Sequence, residues 1–457
     1  MKIFRIPARK ARHCRLDPHY HDPYFTENMR TLLKQNCVRV SEVCELSDEI
    51  WNKSDLFQDV FPYIEIGAID TATGLISGVS ELATDDAPSR AQMVVRGGDL
   101  LVSMTRPTRN AIAIVPSSVK EAIASTGFAV VRGIDCSQIE PVYLFHVLRM
   151  LFCTKQFDRN SSGGNYPAIT KDDLCKMIIP LLPLPEQRKI VAELDAAYSA
   201  KRAADEKAAK LLASIDDMVL NELGIAKLPK PDTSLSSRIF TVPAKEVVNG
   251  RLDAYYYKSS FKELGKELTR CNSVAFGNLI TEIYNGIDCR DYQDEGVPYL
   301  KVANVKPGEF SFDDLKYIDR KELGVKDIAL KAGRMLLTRK GTFGNAIALS
   351  EDYDYAISSE VFCLSIRNEL VDVHYLETVI NSSIGRMLCD KYKIGAIMGS
   401  LSQEAVKALP IPLPDANVQR RIASKASSIR AEARKLKADA TAALDAAKLK
   451  IEAKIVK

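Results

Sequence analysis

The sequence contains the same module twice, and this internal duplication constrains the fold more than any other feature. Four stretches recur in the same order, at offsets of 236, 236, 235 and 232 residues. The recurring pairs are 3–8 with 239–244, 15–17 with 251–253, 110–114 with 345–349, and 143–187 with 375–419. Since the offset hardly drifts along the module, we infer two copies of one structural unit.

Each copy combines strand and helix signals. Segments 63–66 and 299–302 alternate with period two, and 99–102 and 110–115 are predicted as a further strand pair joined by the loop 104–109. Segment 141–152 has helical spacing. The sequence therefore predicts an α+β fold, with two mixed α/β domains whose cores are mainly strands.

A long amphipathic helix follows each globular part, with apolar residues at alternating steps of four and three. In the first helix these are Ile190, Leu194, Ala197, Ala204, Ala208, Leu211, Ile215 and Met218, with Lys201 as the one misfit. In the second they are Ile422, Ala426, Ile429, Ala433, Leu436, Ala440, Ala443 and Ala447. The pattern predicts that the two helices pair as an antiparallel coiled coil; homodimerisation through either helix is the alternative.

These signals give five segments along the chain. They are a first domain at 1–185, a helix at 186–223, a linker at 224–237, a second domain at 238–414 and a helix at 415–457. Gly224 and Pro229 are typical of the end of a helix.

The charge distribution is uneven. The chain has 63 basic and 59 acidic residues, yet residues 415–457 hold 11 basic and 5 acidic side chains. Residues 1–185 hold 21 of each, and 238–414 hold 23 and 24. Because a protein that binds DNA alone usually has a strongly basic domain, a DNA-binding function would depend on local basic patches or on a partner.

Composition also predicts a location. The apolar runs are far shorter than the roughly 20 residues of a membrane helix, and the first residues lack the apolar run of a secretory signal. The 10 cysteines form no Cys-x-x-Cys pair, which is typical of reduced structural thiols. We expect a cytoplasmic protein without a membrane partner, a metal or a cofactor.

The junction after each domain resembles a motif of type I restriction-modification specificity subunits. Residues 179–190 (IPLLPLPEQRKI) match the proline-rich "Ile-Pro-Leu-Pro, Glu-Gln, Ile" junction that joins a target-recognition domain to its helix in that family. The second copy, 411–422, keeps the prolines and Gln419 but has Val418 where the family has glutamate.

A second motif is similar to the "Gly-Asp, two apolar residues, Thr/Ser, Gly, Gly" strand and loop of the same family. Segment 333–344 fits this pattern except for Arg334, where aspartate is usual. The first copy keeps Gly98-Asp99 but has Arg106 and Arg109 at the glycine positions. Loops that differ in this way are expected if the two copies read different bases.

The resemblance implies a non-catalytic specificity subunit. Each domain would read half of a bipartite double-stranded DNA site, and the helices would set the spacer. The subunit would assemble with two methyltransferase (M) subunits and two restriction (R) subunits. Arg, Lys, Asn and Thr side chains on loops are suited to reading base edges. The candidate readers are Arg106, Arg109, Lys155, Arg159, Asn160, Asn165, Arg339, Lys340, Thr342, Lys391 and Lys393.

Two fragments imitate enzymes or metal sites. Segment 22–25 (DPYF) is close to the Asp-Pro-Pro-Tyr/Phe motif of adenine methyltransferases, but no glycine-rich S-adenosylmethionine turn accompanies it. A phosphate-binding Gly-x-x-x-x-Gly-Lys-Ser/Thr loop is also missing from the sequence. The possible ligands His13, Cys14, His19 and His21 have mostly non-ligand counterparts in the second copy. The remaining alternative is a coiled-coil scaffold with two protein-binding domains.

Overall fold

A computed structural model describes residues 15, 17–53, 56–227, 234, 239–248, 251–326, 329–395 and 399–456. The chain divides into two units, one formed by 1–205 with 437–457 and the other by 206–436. His13, Cys14, Pro229 and part of the predicted linker lie outside the described residues.

The first unit is built on two four-stranded sheets. Its helices are α1 (Pro23–Leu32), α2 (Val40–Val43), α3 (Pro141–Leu148), α4 (Leu151–Asn160), α5 (Lys171–Lys176) and the beginning of α6 (Leu184–Leu223). Its strands are β1 (Cys37–Arg39), β2 (Glu45–Ser47), β3 (Val60–Ile64), β4 (Ser80–Ala83), β5 (Ala91–Val95), β6 (Leu100–Ser103), β7 (Ile112–Ile114), β8 (Ala122–Ser125), β9 (Phe128–Arg132) and β10 (Ile178–Pro180). One sheet has the order β2-β9-β6-β7 and is antiparallel, the other has the order β4-β3-β8-β5 with β3 and β8 parallel, and β1 pairs with β10.

Strand β6 shows why the apolar runs of this chain are continuous. All four of its residues are buried. Leu100 and Val102 pack in the cluster that includes α3 and α4, whereas Leu101 packs with Ile64 and Val95 of the other sheet. A sheet covered on both faces has no solvent side, so its strands lack the apolar–polar alternation of a half-exposed strand.

The second unit repeats this plan. Its further helices are α7 (Ala244–Val248), α8 (Ser259–Arg270), α9 (Val373–Asn381), α10 (Ser383–Tyr392), α11 (Gln403–Lys407) and the beginning of α12 (Ala416–Ile455). Its strands are β11 (Ser273–Ala275), β12 (Ile280–Asn285), β13 (Val297–Leu300), β14 (Val305–Lys306), β15 (Glu309–Phe310), β16 (Lys316–Ile318), β17 (Arg334–Thr338), β18 (Ala346–Ala348), β19 (Ala356–Ile357), β20 (Val361–Ile366) and β21 (Pro410–Pro412).

The strand orders confirm the duplication. The antiparallel sheet β12-β20-β17-β18 matches β2-β9-β6-β7, and β16-β13-β19, with β13 and β19 parallel, matches β4-β3-β8. The pair β11–β21 matches β1–β10. Among the described strands, the hairpin β14–β15 of the second unit has no counterpart in the first unit.

The helix predicted at 141–152 is divided in the structure. Helix α3 ends before Arg149, and α4 begins after Met150. The backbone of Met150 is extended, at φ −78° and ψ 158°, and this interrupts the helical hydrogen-bond ladder. Helical spacing alone does not reveal such a break, because the apolar residues on both sides remain buried.

In the first unit, the beginning of α6 packs antiparallel to the end of α12. Glu193 accepts hydrogen bonds from Lys454 at 2.9 Å and Lys450 at 3.4 Å. Further along α6 and nearer the start of α12, the Lys448 ammonium lies 5.3 Å from the ring centre of Tyr198. Buried apolar side chains of this pair are Ile190, Leu194, Tyr198, Leu444, Ile451 and Ile455. The predicted antiparallel pairing is confirmed.

The second unit contains the other halves of the same helices. Glu222 accepts hydrogen bonds from Arg421 and Lys425, both at 2.7 Å. Buried side chains of these halves are Ala208, Val219, Leu220, Ile422, Ala423, Ala426 and Ala433. Gly224, at φ +64°, follows the last helical residue of α6.

The predicted heptad positions lie on the packed face with one exception. Ile190, Leu194, Ala208, Ile422, Ala426 and Ala433 are buried, and Ala197, Lys201, Ala204, Leu211, Ile215, Met218, Ile429, Leu436, Ala440 and Ala447 are half-buried. Ala443 is exposed, whereas Leu444 is buried. Two successive four-residue steps bring the larger Leu444 to the packed face. The misfit Lys201 is accommodated because it pairs with Asp205 at 2.5 Å.

Each unit also caps one domain helix with a carboxylate from the long helix of the other copy. The backbone N–H of Phe152 in α4 donates to Glu452 of α12 at 2.9 Å. The backbone N–H of Ser383 in α10 donates to Asp216 of α6 at 2.7 Å. Burial raises the pKa of Glu452. Each domain is therefore fastened to both long helices.

Candidate nucleic-acid interface

The junction glutamines fasten each domain to the helix that follows it. Gln187 accepts a hydrogen bond from the backbone N–H of Glu140 at 2.8 Å, and Gln419 accepts one from that of Asp372 at 2.9 Å. The two glutamines are 0% and 3% exposed. Their amide groups also donate to backbone carbonyls of the junction. The motif is thus structural, because both ends of each buried amide are satisfied.

A tyrosine reinforces each junction from the domain side. The hydroxyl of Tyr143 donates to the carbonyl of Pro180 at 3.1 Å, and that of Tyr375 donates to Pro412 at 2.7 Å. Burial raises the pKa of both phenols, so they stay neutral donors. The equivalence of these bonds shows that the two copies hold their long helices in the same way.

Two loops meet at the same place in each unit. In the first unit, the β6 loop (104–111) meets the α4 loop (161–168), and the backbone N–H of Ile169 donates to Met104 at 2.9 Å. In the second, the β17 loop (339–345) meets the described residues after α10 (393–395 and 399–400, here called the α10 loop), and the backbone N–H of Leu401 donates to Arg339 at 2.8 Å. The structure thus brings together sequence-distant segments that carry most of the predicted readers.

In the first unit, Arg106 is held at the meeting of its two loops. Its backbone N–H donates to Pro167 at 2.7 Å, and its guanidinium donates to the carbonyl of Asn165 at 3.1 Å. The guanidinium carbon lies 4.5 Å from the ring centre of Tyr166. The predicted readers Arg106 and Asn165 are therefore neighbours, and Asn165 contributes its carbonyl to holding Arg106 while its side chain stays exposed.

A groove of about 780 Å³ runs beside these loops. Its lining residues are Ile66, Gly67, Ile69, Thr71, Arg90, Thr105, Arg106, Arg109, Ala111, Thr126, Gly127, Tyr166 and Ala168. Three arginines and no carboxylate line it, so the groove has a positive electrostatic character. Sequence reasoning missed Arg90 and Tyr166, since neither lies in a recognisable motif.

The other three predicted readers of the first unit lie on α4. Arg159 donates to the carbonyl of Tyr20 at 3.2 Å, and its guanidinium carbon lies 4.1 Å from the Tyr20 ring centre. The ammonium of Lys155 lies 4.4 Å from the Tyr24 ring centre. The carbonyl of Asn160 accepts a hydrogen bond from Arg15 at 2.7 Å. Lys155 therefore contacts α1 itself, and Arg159 and Asn160 hold the segment that precedes it.

The second unit repeats that arrangement. Arg251 donates to the carbonyls of Tyr392 at 3.2 Å and Lys393 at 2.9 Å, which cap the end of α10. The ammonium of Lys391 lies 4.6 Å from the Tyr256 ring centre, and that of Lys393 lies 4.4 Å from the Tyr255 ring centre. The recurring Arg-Leu-Asp stretch therefore supplies a helix cap.

The β17 loop differs from the β6 loop in the groups it presents. Arg339 is half-buried, stacks 5.0 Å from the Phe362 ring centre and donates to Ser359 at 3.5 Å. Lys340 and Thr342 are exposed. The carbonyl of Thr342 accepts a hydrogen bond from the hydroxyl of Thr338 at 2.8 Å. Of these predicted readers, Lys340 and Thr342 are the accessible ones.

The aspartate of the second family motif is structural. Asp99 is buried and accepts hydrogen bonds from Arg132 at 2.7 and 2.9 Å. In the second copy, Arg334 stands at the position of Asp99. Its neighbour on the adjacent strand β20 is Ser365, which stands at the position of Arg132. Both members of the Asp99–Arg132 ion pair are therefore different residues in the second copy.

The enzyme-like and metal-like fragments also have structural roles. Asp22 caps α1 by accepting the backbone N–H of Tyr24 at 2.9 Å. His19 lies 3.3 Å from the carboxylate of Asp158. Within the described ranges there is no group of three or more His, Cys, Asp or Glu side chains that could hold a metal ion. No described helix is long and apolar enough to cross a membrane.

Comparison with known proteins places the chain in a family. The family model for the type I restriction modification DNA specificity domain matches residues 35–211 and 286–443, which is more than half of the chain. The chain belongs to this family, and the resemblance predicted from its motifs is confirmed. The two matched regions confirm two specificity domains in one chain.

Individual relatives are more distant. The specificity subunit of the type I restriction enzyme EcoKI from Escherichia coli (strain K12) is 21% identical over 248 residues. That match spans 53% of this chain and 47% of the EcoKI subunit, about half the length of each.

Solved structures were also matched over most of the chain. One, solved in work on complex assembly and conformational transition of the type I R-M system, is 23% identical, with a TM-score of 0.47 and coverage of 92% of this chain and 97% of that one. The HsdS subunit from Thermoanaerobacter tengcongensis is 23% identical, with a TM-score of 0.36 and coverage of 92% and 95%. An S subunit from M. genitalium is 12% identical, with a TM-score of 0.39 and the same coverage.

Proposed function

We propose that each unit of this specificity subunit reads one half of a bipartite double-stranded DNA site. The observation that carries the proposal is the loop pair that recurs at the same place in both units, fastened by equivalent backbone hydrogen bonds. The framework is the same, but the β6 loop presents Arg106 and Arg109, whereas the exposed polar side chains of the β17 loop are Lys340 and Thr342, next to the equivalent glycines. Equivalent frameworks with different polar side chains suit two readers of different sequences.

The long helices would set the distance between the two half-sites. Each has 40 residues, a length of roughly 60 Å at 1.5 Å per residue. One turn of the DNA duplex is about 34 Å long. A helix of this length therefore suits the separation of half-sites that lie more than one turn apart.

The chain itself would perform no catalysis. We propose that it assembles in the cytoplasm with two methyltransferase subunits and two restriction subunits, and that the long helices dock them. The near-neutral charge of segments 1–185 and 238–414 supports this dependence on partners. Binding that relies on few basic contacts within the chain gains affinity from charges that a partner places on the same duplex.

Domain exchange tests the division of labour. Residues 1–185 are replaced by those of another family member, the complex is expressed in a host that lacks other methylation, and methylated adenines are mapped by single-molecule sequencing. The expected result is a new first half-site with an unchanged second half-site and spacer. A changed second half-site would contradict the proposal.

Helix length tests the spacer. Seven residues are inserted into α6 and seven into α12, so that the heptad face is kept. The helices lengthen by about 10 Å, and the spacer is expected to lengthen by about three base pairs with both half-sites unchanged. Methylation at the original spacing would overturn the spacer role. A wild-type chain that binds no methyltransferase subunit and prefers no DNA sequence would favour the protein-binding scaffold instead.

A further inference from the structure

Within the loop pair of the first unit, we propose that Arg106 reads a guanine and that Arg90 and Arg109 hold the DNA backbone. This inference rests on the proposed function and assigns separate roles to residues of the same surface. It follows from three independent features of that surface: the backbone at Arg106, the contacts of its guanidinium, and the freedom of the other two arginines.

The backbone of Arg106 adopts a conformation that its side chain disfavours. It lies in the left-handed region, at φ +49° and ψ +52°. The equivalent position in the second copy is Gly341, at φ +63°, where no side chain opposes that conformation. A non-glycine residue held in the left-handed region is uncommon, and such residues concentrate at functional sites. The position therefore points to a task for the arginine side chain.

The guanidinium of Arg106 is held in one orientation, yet most of its N–H donors stay available for a ligand. Stacking on Tyr166 and one hydrogen bond to the Asn165 carbonyl fix its plane. Tyr166 is 69% exposed, so this stack lies at the surface. The remaining N–H donors of Arg106 have no acceptor among the described residues. A fixed planar fork with free donors matches the two acceptors, O6 and N7, that guanine presents in the major groove.

Arg90 and Arg109 differ from Arg106 in being unrestrained. Both are exposed, and neither side chain forms a hydrogen bond or an ion pair with the described residues. They line the same carboxylate-free groove as Arg106. Mobile cations beside a duplex neutralise phosphates and release counterions, which gives affinity without sequence preference.

The second unit lacks this arrangement. Gly341 and Gly344 stand at the positions of Arg106 and Arg109, and Glu360 stands at the position of Gly127 in the groove. The assignment of a guanine therefore applies to the half-site of the first unit only.

The test uses the full chain in complex with its methyltransferase subunit and a duplex library that is randomised across both half-sites. Arg106→Gly is the central variant, because glycine adopts the local backbone conformation without strain. The expected result is that discrimination in favour of guanine at one position of the first half-site falls roughly 10- to 100-fold, with the other positions unchanged. Arg106→Lys keeps the charge and a donor group but loses the planar fork and its stack on Tyr166, so a smaller loss at the same position is expected.

Arg90→Ala and Arg109→Ala are the matched variants of the phosphate role. Each is expected to weaken binding to all sequences equally and to lower the slope of log K against log salt by about one. The second half-site is the internal control for every variant.

Three outcomes would overturn the assignment. They are an Arg106→Gly complex with unchanged sequence preference, one with equal loss at every position, and Arg90 or Arg109 variants with altered base preference. Thermal unfolding of each complex shows whether a variant is folded. If the wild-type complex itself selects no bipartite site, the proposed function fails, and that result is distinguishable from a failure of the Arg106 assignment alone.

Discussion

The two units place chemically different side chains on equivalent loops. In the first, Arg106 and Arg109 follow β6, whereas Gly341 and Gly344 occupy those positions after β17. The backbone hydrogen bond that joins the loop pair is nevertheless the same in both units. The framework of this fold therefore depends on backbone bonds and buried junction residues, which leaves the exposed loop positions free to differ.

A second difference lies in the interior. Glu377 and Arg430 form a buried ion pair in the second unit, and Glu377 also accepts the backbone N–H of Ala348 at 3.0 Å. Phe145 and Tyr198 occupy the same positions of the repeat in the first unit. The second domain is therefore held to its long helix by charge at a position where the first copy has aromatic residues.

Breaking this ion pair should destabilise the chain more than any other change considered below. Arg430→Ala leaves the Glu377 carboxylate buried without its cation and should lower the free energy of unfolding by about 3–5 kcal/mol. Urea denaturation of the chain measures it. The double variant Glu377→Phe with Arg430→Tyr copies the first unit and should be more stable than Arg430→Ala. A double variant that is less stable than the single one would show that the two solutions are not interchangeable.

The next effect concerns what the units share. Gln187→Ala and Gln419→Ala each leave buried backbone groups without a partner, at a cost of about 1–3 kcal/mol. Because the two glutamines make equivalent bonds, the two losses should be similar. The exposed Gln58 provides the control, and Gln58→Ala should leave the denaturation midpoint unchanged. A large loss in one unit and none in the other would show that the junctions are not equivalent.

A smaller effect separates the two loops. Gly341→Ala places a side chain in the left-handed region and should cost about 1 kcal/mol. Arg106→Gly should change stability by less than about 1 kcal/mol, because the relief of strain offsets the lost stacking and the greater freedom of the unfolded chain. Denaturation midpoints of the two variants, measured side by side, check that Gly341→Ala lowers stability more than Arg106→Gly does.

The smallest effect is a pH dependence that arises from an ion-pair network of the first unit. Hydrogen bonds from Arg96 lower the pKa of Glu49 from 4.5 to about 2, with Arg132 as a further donor. A lowered pKa contributes stability that is present above about pH 4.5 and is lost as the pH falls towards 2. Glu49→Gln should remove this part of the acid sensitivity, by less than about 1 kcal/mol since the pair is partly exposed.

The control for that titration is Glu81→Gln at an exposed position of β4. As the pH is lowered from 6 to 3, the urea midpoint of this variant should decrease by as much as that of the wild type. An unchanged acid sensitivity of Glu49→Gln would contradict the contribution of this ion-pair network.

Periodicity and repetition made the framework predictable. The duplication, the heptad faces and the junction motif are patterns of residue type, and each has a direct physical cause in burial. The break between α3 and α4 was missed because apolar spacing continues across Met150. The step from Ala440 to Leu444 was missed because a regular heptad was extended past the point where a larger side chain becomes available.

The candidate interface was predictable only in part. Arg106, Arg109 and Asn165 were predicted and lie together, whereas Arg90 and Tyr166 were not predicted, since no local pattern distinguishes a surface arginine or tyrosine. Lys155, Arg159 and Lys393 were predicted as readers, and the structure places them against aromatic rings near α1 and before α8. Whether any of these residues contacts DNA remains a prediction.

The order and type of the residues are enough to predict a doubled module, a long helix after each copy, and membership of the family of type I specificity domains. These properties depend on residue type and spacing along the chain. Three contacts became visible only in the folded chain: the β6 loop with the α4 loop, Arg106 with Tyr166, and Glu377 with Arg430. Such contacts join residues tens of positions apart, and they depend on how sheets and helices pack, which no local pattern specifies.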